Sequence, residues 1–237
     1  MQRYFSNNSC DGIYKLNEDD SYHIKKVMRM NIGDLIEIVD NEKLCICQII
    51  ENNNLIMAKV IEEKSDYNDM DVKVIIVQSL VNEQKMDLIL QKGTELGAYA
   101  FYPYKSLNSV VKDNGKGDKK VVRWQKIVKE ASEQSKRNIV PIVHNMVDLN
   151  DLIKIEASLK LICTVNEVTK NIKKVLQEHS KCDTIIIVVG PEGGFKRQEE
   201  EMFIKNGFIP VSLGKRVLRT ETASLVALSM INYERMV

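Results

Sequence analysis

The sequence predicts an α/β protein in two parts. Residues 1–70 read as a small N-terminal β-barrel, and residues 71–237 as a mostly parallel sheet with helices on both faces. Three observations predict this. Short apolar runs separated by tight turns fill the first part. Longer apolar strands alternate with helical segments in the second. The charge also changes sign, with eight basic and 13 acidic residues in 1–70 against 26 basic and 20 acidic in 71–237.

In the first part, Asp19 to Met30 predicts a short helix. Ile32-Gly33-Asp34 is a turn leading into a strand that ends at Val39, and Asp40-Asn41 closes it. Lys43 to Ile50 and Asn54 to Ile61 are partly alternating strands joined by the turn-prone Glu51 to Asn54. Strands this short and evenly spaced suggest a barrel. The polar stretch Glu62 to Asp71 reads as a linker.

Val72 to Leu80 is a continuous apolar strand. Glu83 to Leu96 has helical spacing, and Gly97 stands where a helix C-cap is wanted. Phe101-Tyr102-Pro103 is a short strand, Gly115 to Asp118 a turn or loop, and Lys119 to Lys136 a second long helix. Leu159 to Val165 and Thr184 to Val189 are buried-type strands, each followed by a helix-like segment, Asn166 to His179 and Lys196 to Asn206. A last short strand ends at Gly214 and precedes a terminal helix, Ser224 to Tyr233. Such alternation favours a parallel sheet covered on both sides.

Composition narrows the function classes. Hydrophobic residues are 44% and aromatics only 6%, so the core must be aliphatic. No apolar run approaches the roughly 20 residues of a membrane helix, and the first residues lack a signal-peptide stretch. The expectation is a cytoplasmic protein without a membrane partner. Five cysteines, with Cys45 and Cys47 alternating onto one strand face, suit small buried residues in a reducing compartment. His23, His144 and His179 stand apart and no zinc-ligand spacing is present, so no metal is expected. Residues 105–137 hold ten basic and four acidic residues, which fits either a solvated face or a phosphate-contacting patch.

Two segments carry the chemistry. The strand Ile185 to Val189 runs into Gly190-Pro191-Glu192-Gly193-Gly194-Phe195. Ligands of open α/β sheets sit beyond the carboxyl ends of strands, but the turn is neither a P-loop nor a dinucleotide fingerprint. The second segment is Leu213-Gly214-Lys215-Arg216-Val217-Leu218-Arg219-Thr220-Glu221-Thr222-Ala223. Thr220 can be a helix N-cap and Glu221 suits a first helical turn. Structural and catalytic roles both stay open for them.

Together these segments resemble the RsmE-type 16S rRNA (uracil-N3) methyltransferases of the SPOUT superfamily. The match continues through Arg3-Tyr4-Phe5, His23 to Arg29 with Gly33-Asp34, Met86 to Gly97, and Arg123-Trp124 to Pro141, nearly the whole chain in order. The resemblance implies a PUA-like N-terminal barrel that binds RNA and a C-terminal SPOUT α/β domain with a trefoil knot. It also implies a homodimer, S-adenosylmethionine as cofactor, and the small ribosomal subunit as substrate. Two positions depart from the pattern: Leu107-Asn108 replaces a usual Glu-Arg, and Lys215 stands where Pro is common.

The implied reaction is an in-line displacement at a sulfonium methyl and needs no metal. Uracil N3 is a poor nucleophile while protonated, so a positioned cation and a base are the useful devices. Arg219 is the candidate cation. Glu221 is the candidate base, or a group that orients Arg219. The donor would lie among Thr164, Val165, Gly190, Pro191, Glu192, Gly193, Gly194, Leu213, Gly214, Val217, Leu218 and Thr220. For Leu213, Val217 and Leu218, an adenine wall and simple core packing are both open. The RNA-binding candidates are Arg3, Arg29, Lys105, Lys112, Arg123 and Arg137. A knotted methyltransferase acting on another RNA, and a non-catalytic RNA-binding relative, are the competing readings.

Overall fold

The computed structural model describes residues 1–111, 115, 117–166 and 170–236. Contacts divide the chain into two units: Met1–Asp69 with Ser132–Ile139, and Met70–Ala131 with Val140–Val237. The simple cut after residue 70 therefore misses one excursion, because the end of a helix in the second part returns to the first unit.

The first unit contains β1 (Arg3–Phe5), β2 (Ser9–Cys10), β3 (Ile13–Lys15), α1 (Glu18–Tyr22), a π-helical turn (His23–Val27), β4 (Leu35–Asp40), β5 (Lys43–Asn52) and β6 (Ile56–Lys64). Its strands form one sheet in the order β1-β4-β5-β6-β3-β2. Asn41 and Glu42, at φ of 46° and 69°, make the two-residue β4–β5 connection, the twist such hairpins need. Alternating Ile36 and Ile38 meet Cys45, Cys47, Ile49, Tyr4 and Ile24 in one buried cluster. Strand β6 runs three residues into the segment read as a linker. The β5–β6 ladder pairs Leu44 with Lys64, so main-chain bonds hold residues whose side chains gave no strand signal.

Ser132–Ile139 joins this unit through buried charge. The Arg3 guanidinium, 2% exposed, donates to Glu37 at 2.9 Å, to the Arg137 carbonyl at 3.0 Å and to Asn138 Oδ1 at 3.3 Å. Arg137, 4% exposed, pairs with Asp69 at 2.5 Å. Asp69 also accepts the Asn138 and Ile139 amides at 2.9 and 3.0 Å. Such pairs hold where each charge finds several partners.

The second unit contains β7 (Lys73–Ser79), α2 (Glu83–Glu95), β8 (Ala100–Tyr104), α3 (Gly117–Gln134), β9 (Ile142–Val143), α4 (Leu149–Leu152), β10 (Leu159–Cys163), α5 (Ile172–Glu178), β11 (Thr184–Val189), α6 (Arg197–Lys205), β12 (Ile209–Val211) and α7 (Thr220–Arg235). The sheet order is β12-β10-β11-β7-β8-β9, parallel throughout. Strand period decides which face each residue covers. Ile185, Ile187 and Val189 join a cluster with Met86 and Ile89 of α2, Val175 of α5, and Ala227, Leu228 and Ile231 of α7. Ile186 and Val188, one step out of phase, pack with Phe203 of α6, Phe208 and Leu152 of α4. That is why β11 reads as an unbroken apolar run: both its faces are covered. Among the described residues no helix is long and apolar enough to cross a membrane.

Candidate active site

Register brings three strand ends level. Cys163 pairs with Val189 on one side and with Val211 on the other, so β10, β11 and β12 end on one line. The loops that follow converge on a cavity of about 690 Å³, a size suited to a small organic ligand. All twelve donor-binding candidates line it, as does Arg219; Glu221 does not. The wall also includes Cys163, Lys85, Glu200 and Ala223.

The Gly-rich loop is shaped by its neighbours. Gly194 lies at φ 68°, and its amide donates to the Pro191 carbonyl at 2.9 Å, closing a turn. A Cβ on Gly190 would stand 3.1 Å from the Phe195 ring, so this position has little room for a side chain. Asn108 donates to the Gly194 carbonyl at 3.2 Å, and the Leu107 amide donates to the buried Glu199 carboxylate at 3.1 Å. The two residues that depart from the family pattern thus bear directly on the Gly-rich loop and the helix that follows it.

The terminal helix is stitched to the loop by Thr220. Its hydroxyl donates to the Gly190 carbonyl at 2.6 Å and accepts from Gln78 Nε2 at 2.9 Å. Ser224 Oγ donates in turn to Gln78 Oε1. Thr220 is therefore not the N-cap. Arg219, extended at φ −64° and ψ 154°, holds that place without a side-chain cap bond. The threonine hydroxyl is committed to the Gly-rich loop instead.

Charge surrounds the cavity. Lys85 donates to Glu192 at 2.7 Å and faces Glu221 Oε2 at 3.8 Å. Burial, the largest single influence, would raise the Glu192 carboxyl, but the Lys85 hydrogen bond, a main-chain bond and the Lys85 charge together hold the group below the usual range. That same Lys85 hydrogen bond lifts the ammonium above its ordinary value. Glu200 accepts from the Thr164 hydroxyl at 2.6 Å. Burial pushes the Cys163 thiol up to about 12, so it stays a neutral wall atom. Among the described residues the Arg219 guanidinium is exposed and has no hydrogen-bond or ion-pair partner. Val165 and Val217 are 69% and 82% exposed, which core packing does not explain; Leu213 leans on the core.

The RNA candidates fare unevenly. Arg3 and Arg137 are buried and bound within the first unit, which leaves no guanidinium face for a phosphate; that assignment is corrected. Arg123 is half-exposed but makes a two-pronged pair with Asp87 at 2.8 Å. Arg29, at φ 53°, and Lys105 are exposed. Lys112 lies outside the described residues.

Sequence reasoning missed Gln78, Lys85, Glu200 and Ser224. Two of them carried a signal. Gln78 is a polar residue inside an apolar strand, and Lys85 is a cation in a first helical turn.

Known proteins match the chain over most of its length. A family model described as an RNA methyltransferase domain matches residues 68–232, and one described as an RNA methyltransferase PUA domain matches 16–61. The ribosomal RNA small subunit methyltransferase E of Bacillus subtilis is 36% identical, over 99% of this chain and 97% of that protein. The namesake of Synechocystis is 31% identical over 89% of this chain and 70% of its own length. A crystal structure of a ribosomal RNA small subunit methyltransferase E from Neisseria gonorrhoeae, bound to S-adenosyl methionine, superposes with a TM-score of 0.89 at 30% identity, covering 98% and 97% of the two chains. With a full-length relative above 30% identity and a family model spanning most of its length, the chain belongs to the ribosomal RNA small subunit methyltransferase E family.

Proposed function

We propose that this protein transfers a methyl group from S-adenosylmethionine to 16S rRNA of the small ribosomal subunit, at uracil N3. The observation that carries the proposal is the convergence of both motif segments on one cavity at the carboxyl ends of adjacent parallel strands. The wall fits the donor's chemistry. Gly190 to Gly194 offer backbone at close approach, and Leu213, Val217 and Leu218 offer apolar surface for an adenine. Glu192 and Glu200 are carboxylates facing a ligand that carries sulfonium and ammonium charge.

The donor, when bound, supplies an electrophilic methyl on a sulfonium. The protein's own task is to hold the acceptor and favour loss of its N3 proton. Arg219, unpartnered on the cavity wall, stabilises the negative charge that develops beside the flanking carbonyls. Glu221 is open to two roles, base or anchoring group. Its place beside Lys85 and off the wall favours the second, with the proton leaving to hydroxide from solvent. Arg29 and Lys105 are the exposed candidates for phosphate contact, which fixes register rather than sequence. A homodimer fits the exposed Val165 and Val217 beside the cavity. A monomer in light scattering at micromolar concentration would refute the dimer.

Calorimetry with S-adenosylmethionine and nucleoside mass analysis test the whole. A strain lacking the gene should lose 3-methyluridine from its small subunit and regain it on complementation. Loss of a different mark, or no donor binding at high micromolar concentration, sinks the proposal.

A further inference from the structure

Lys85 sits in the first turn of α2, three residues after the Asn82 N-cap. A cation there meets the positive end of the helix dipole and is disfavoured. A residue that breaks a local rule marks a position kept for another reason. That reason is visible at its ammonium, which lines the donor cavity together with Arg219. Two carboxylates hold it there: Glu192 from the donor loop at 2.7 Å, and Glu221 from α7 at 3.8 Å. Glu221 Oε2 is buried with no hydrogen-bond partner, so this ammonium is the cation it faces. The remaining charged neighbour is Arg219, close enough to repel Lys85. Two anions thus keep the Lys85 ammonium on the same wall as Arg219.

We propose that Lys85 is a second catalytic cation, acting with Arg219 on the acceptor base. The inference rests on the uracil-N3 reading given above. Uracil N3 lies between two carbonyl groups. When its proton leaves to hydroxide, the electron pair left on nitrogen spreads onto both oxygens. One cation can face one oxygen; two cations match the charge distribution of the imide anion. The Glu192 bond keeps Lys85 protonated well into the alkaline range, so its charge is present wherever the reaction runs.

The test uses the full-length protein, small subunits from a strain lacking the enzyme, and saturating donor. Single-turnover rates are measured for wild type, Lys85→Met and Lys85→Arg from about pH 6.5 to 9.5. Lys85→Met should transfer methyl about 10- to 100-fold more slowly near neutrality. The deficit should shrink as pH rises, because the base then loses its proton unaided. Donor Kd by calorimetry should stay within about threefold, and Lys85→Arg should restore most of the rate, since both keep a cation in reach. A purely structural role gives a deficit that is constant with pH and a lowered melting temperature. A raised donor Kd with unchanged rate would place Lys85 on the donor instead. Either result overturns the inference. If wild type makes 3-methyluridine but the deficit is flat with pH, only this inference falls. If it makes another mark, the uracil-N3 reading falls first and takes this one with it.

Discussion

Thr220→Val should weaken both the fold and donor binding, and the size of the effect follows from two bonds. Valine matches threonine in shape, so no cavity opens and the change isolates the hydroxyl. That hydroxyl, on a residue 5% exposed, donates to the Gly190 carbonyl at 2.6 Å and accepts from Gln78 Nε2 at 2.9 Å. Gln78 Nε2 keeps a second acceptor, the Ser79 carbonyl at 3.0 Å, so its loss is partial. Gly190 loses its side-chain donor. A buried polar group left without a partner costs about 1–3 kcal/mol, and the weakened Gln78 contact adds less, so the total is roughly 2–3 kcal/mol. For a chain of this size that lowers the melting temperature by roughly 4–12 °C. Because the freed carbonyl begins the Gly-rich loop proposed to hold the donor, donor Kd should rise about tenfold, equivalent to about 1.4 kcal/mol. Thr220→Ser keeps the hydroxyl and serves as the control. Differential scanning calorimetry and titration with S-adenosylmethionine read the two effects. The reasoning fails if Thr220→Val melts like wild type, or if Thr220→Ser is equally impaired.

Three further outcomes follow from particular contacts. Arg219→Ala should bind donor nearly as well as wild type yet transfer methyl about 100- to 1,000-fold more slowly, the scale for removing one charge-stabilising donor; equal rates would end its catalytic assignment. Asp69→Ala removes the carboxylate that pairs with the buried Arg137 and accepts the Asn138 and Ile139 amides, so it should cost about 3–5 kcal/mol in denaturant unfolding, while donor Kd is unchanged. Glu37 gives a pH dependence: burial would raise its carboxyl, but hydrogen bonds from Arg3 and Lys136 outweigh that and hold it below the ordinary value. Its contribution is therefore full above the unfolded value near 4.5 and is lost as pH falls through the lower folded value. Wild type should lose stability toward acid more steeply than Glu37→Gln, and parallel curves would contradict the pairing.

Which features were legible in the sequence depends on how local their cause is. Strand β11 is legible because both faces are covered and every position must be apolar; helix α2 is legible because its cap, period and Gly97 all lie within it. Strands β1 and β3 are three residues each; β1 pairs with the distant β4, and β3, beyond its short hairpin with β2, pairs with the distant β6. No window along the chain contains that information. The Thr220 misreading has the same root. A threonine before an apolar helix is a sound N-cap by local rules, but a carbonyl 30 residues earlier claims its hydroxyl and the cap moves back to Arg219.

Charge is the hardest signal to read, and the basic residues of this chain show why. Arg3, Arg137 and Arg219 are the same side chain in sequence, where Arg3 and Arg137 read as RNA contacts. Arg3 and Arg137 are buried against Glu37, Asp69 and main-chain carbonyls, whereas Arg219 is exposed and has no partner among the described residues. A buried guanidinium needs several acceptors at once, and these come from segments more than 30 residues apart along the chain. Only the fold says which arginines are thus satisfied. The converse signal is local: a residue that contradicts its own element. Gln78 interrupts an apolar strand and Lys85 opposes a helix dipole, and both lead to the cavity. Patterns of agreement along a sequence thus report the scaffold, and isolated disagreements report the site.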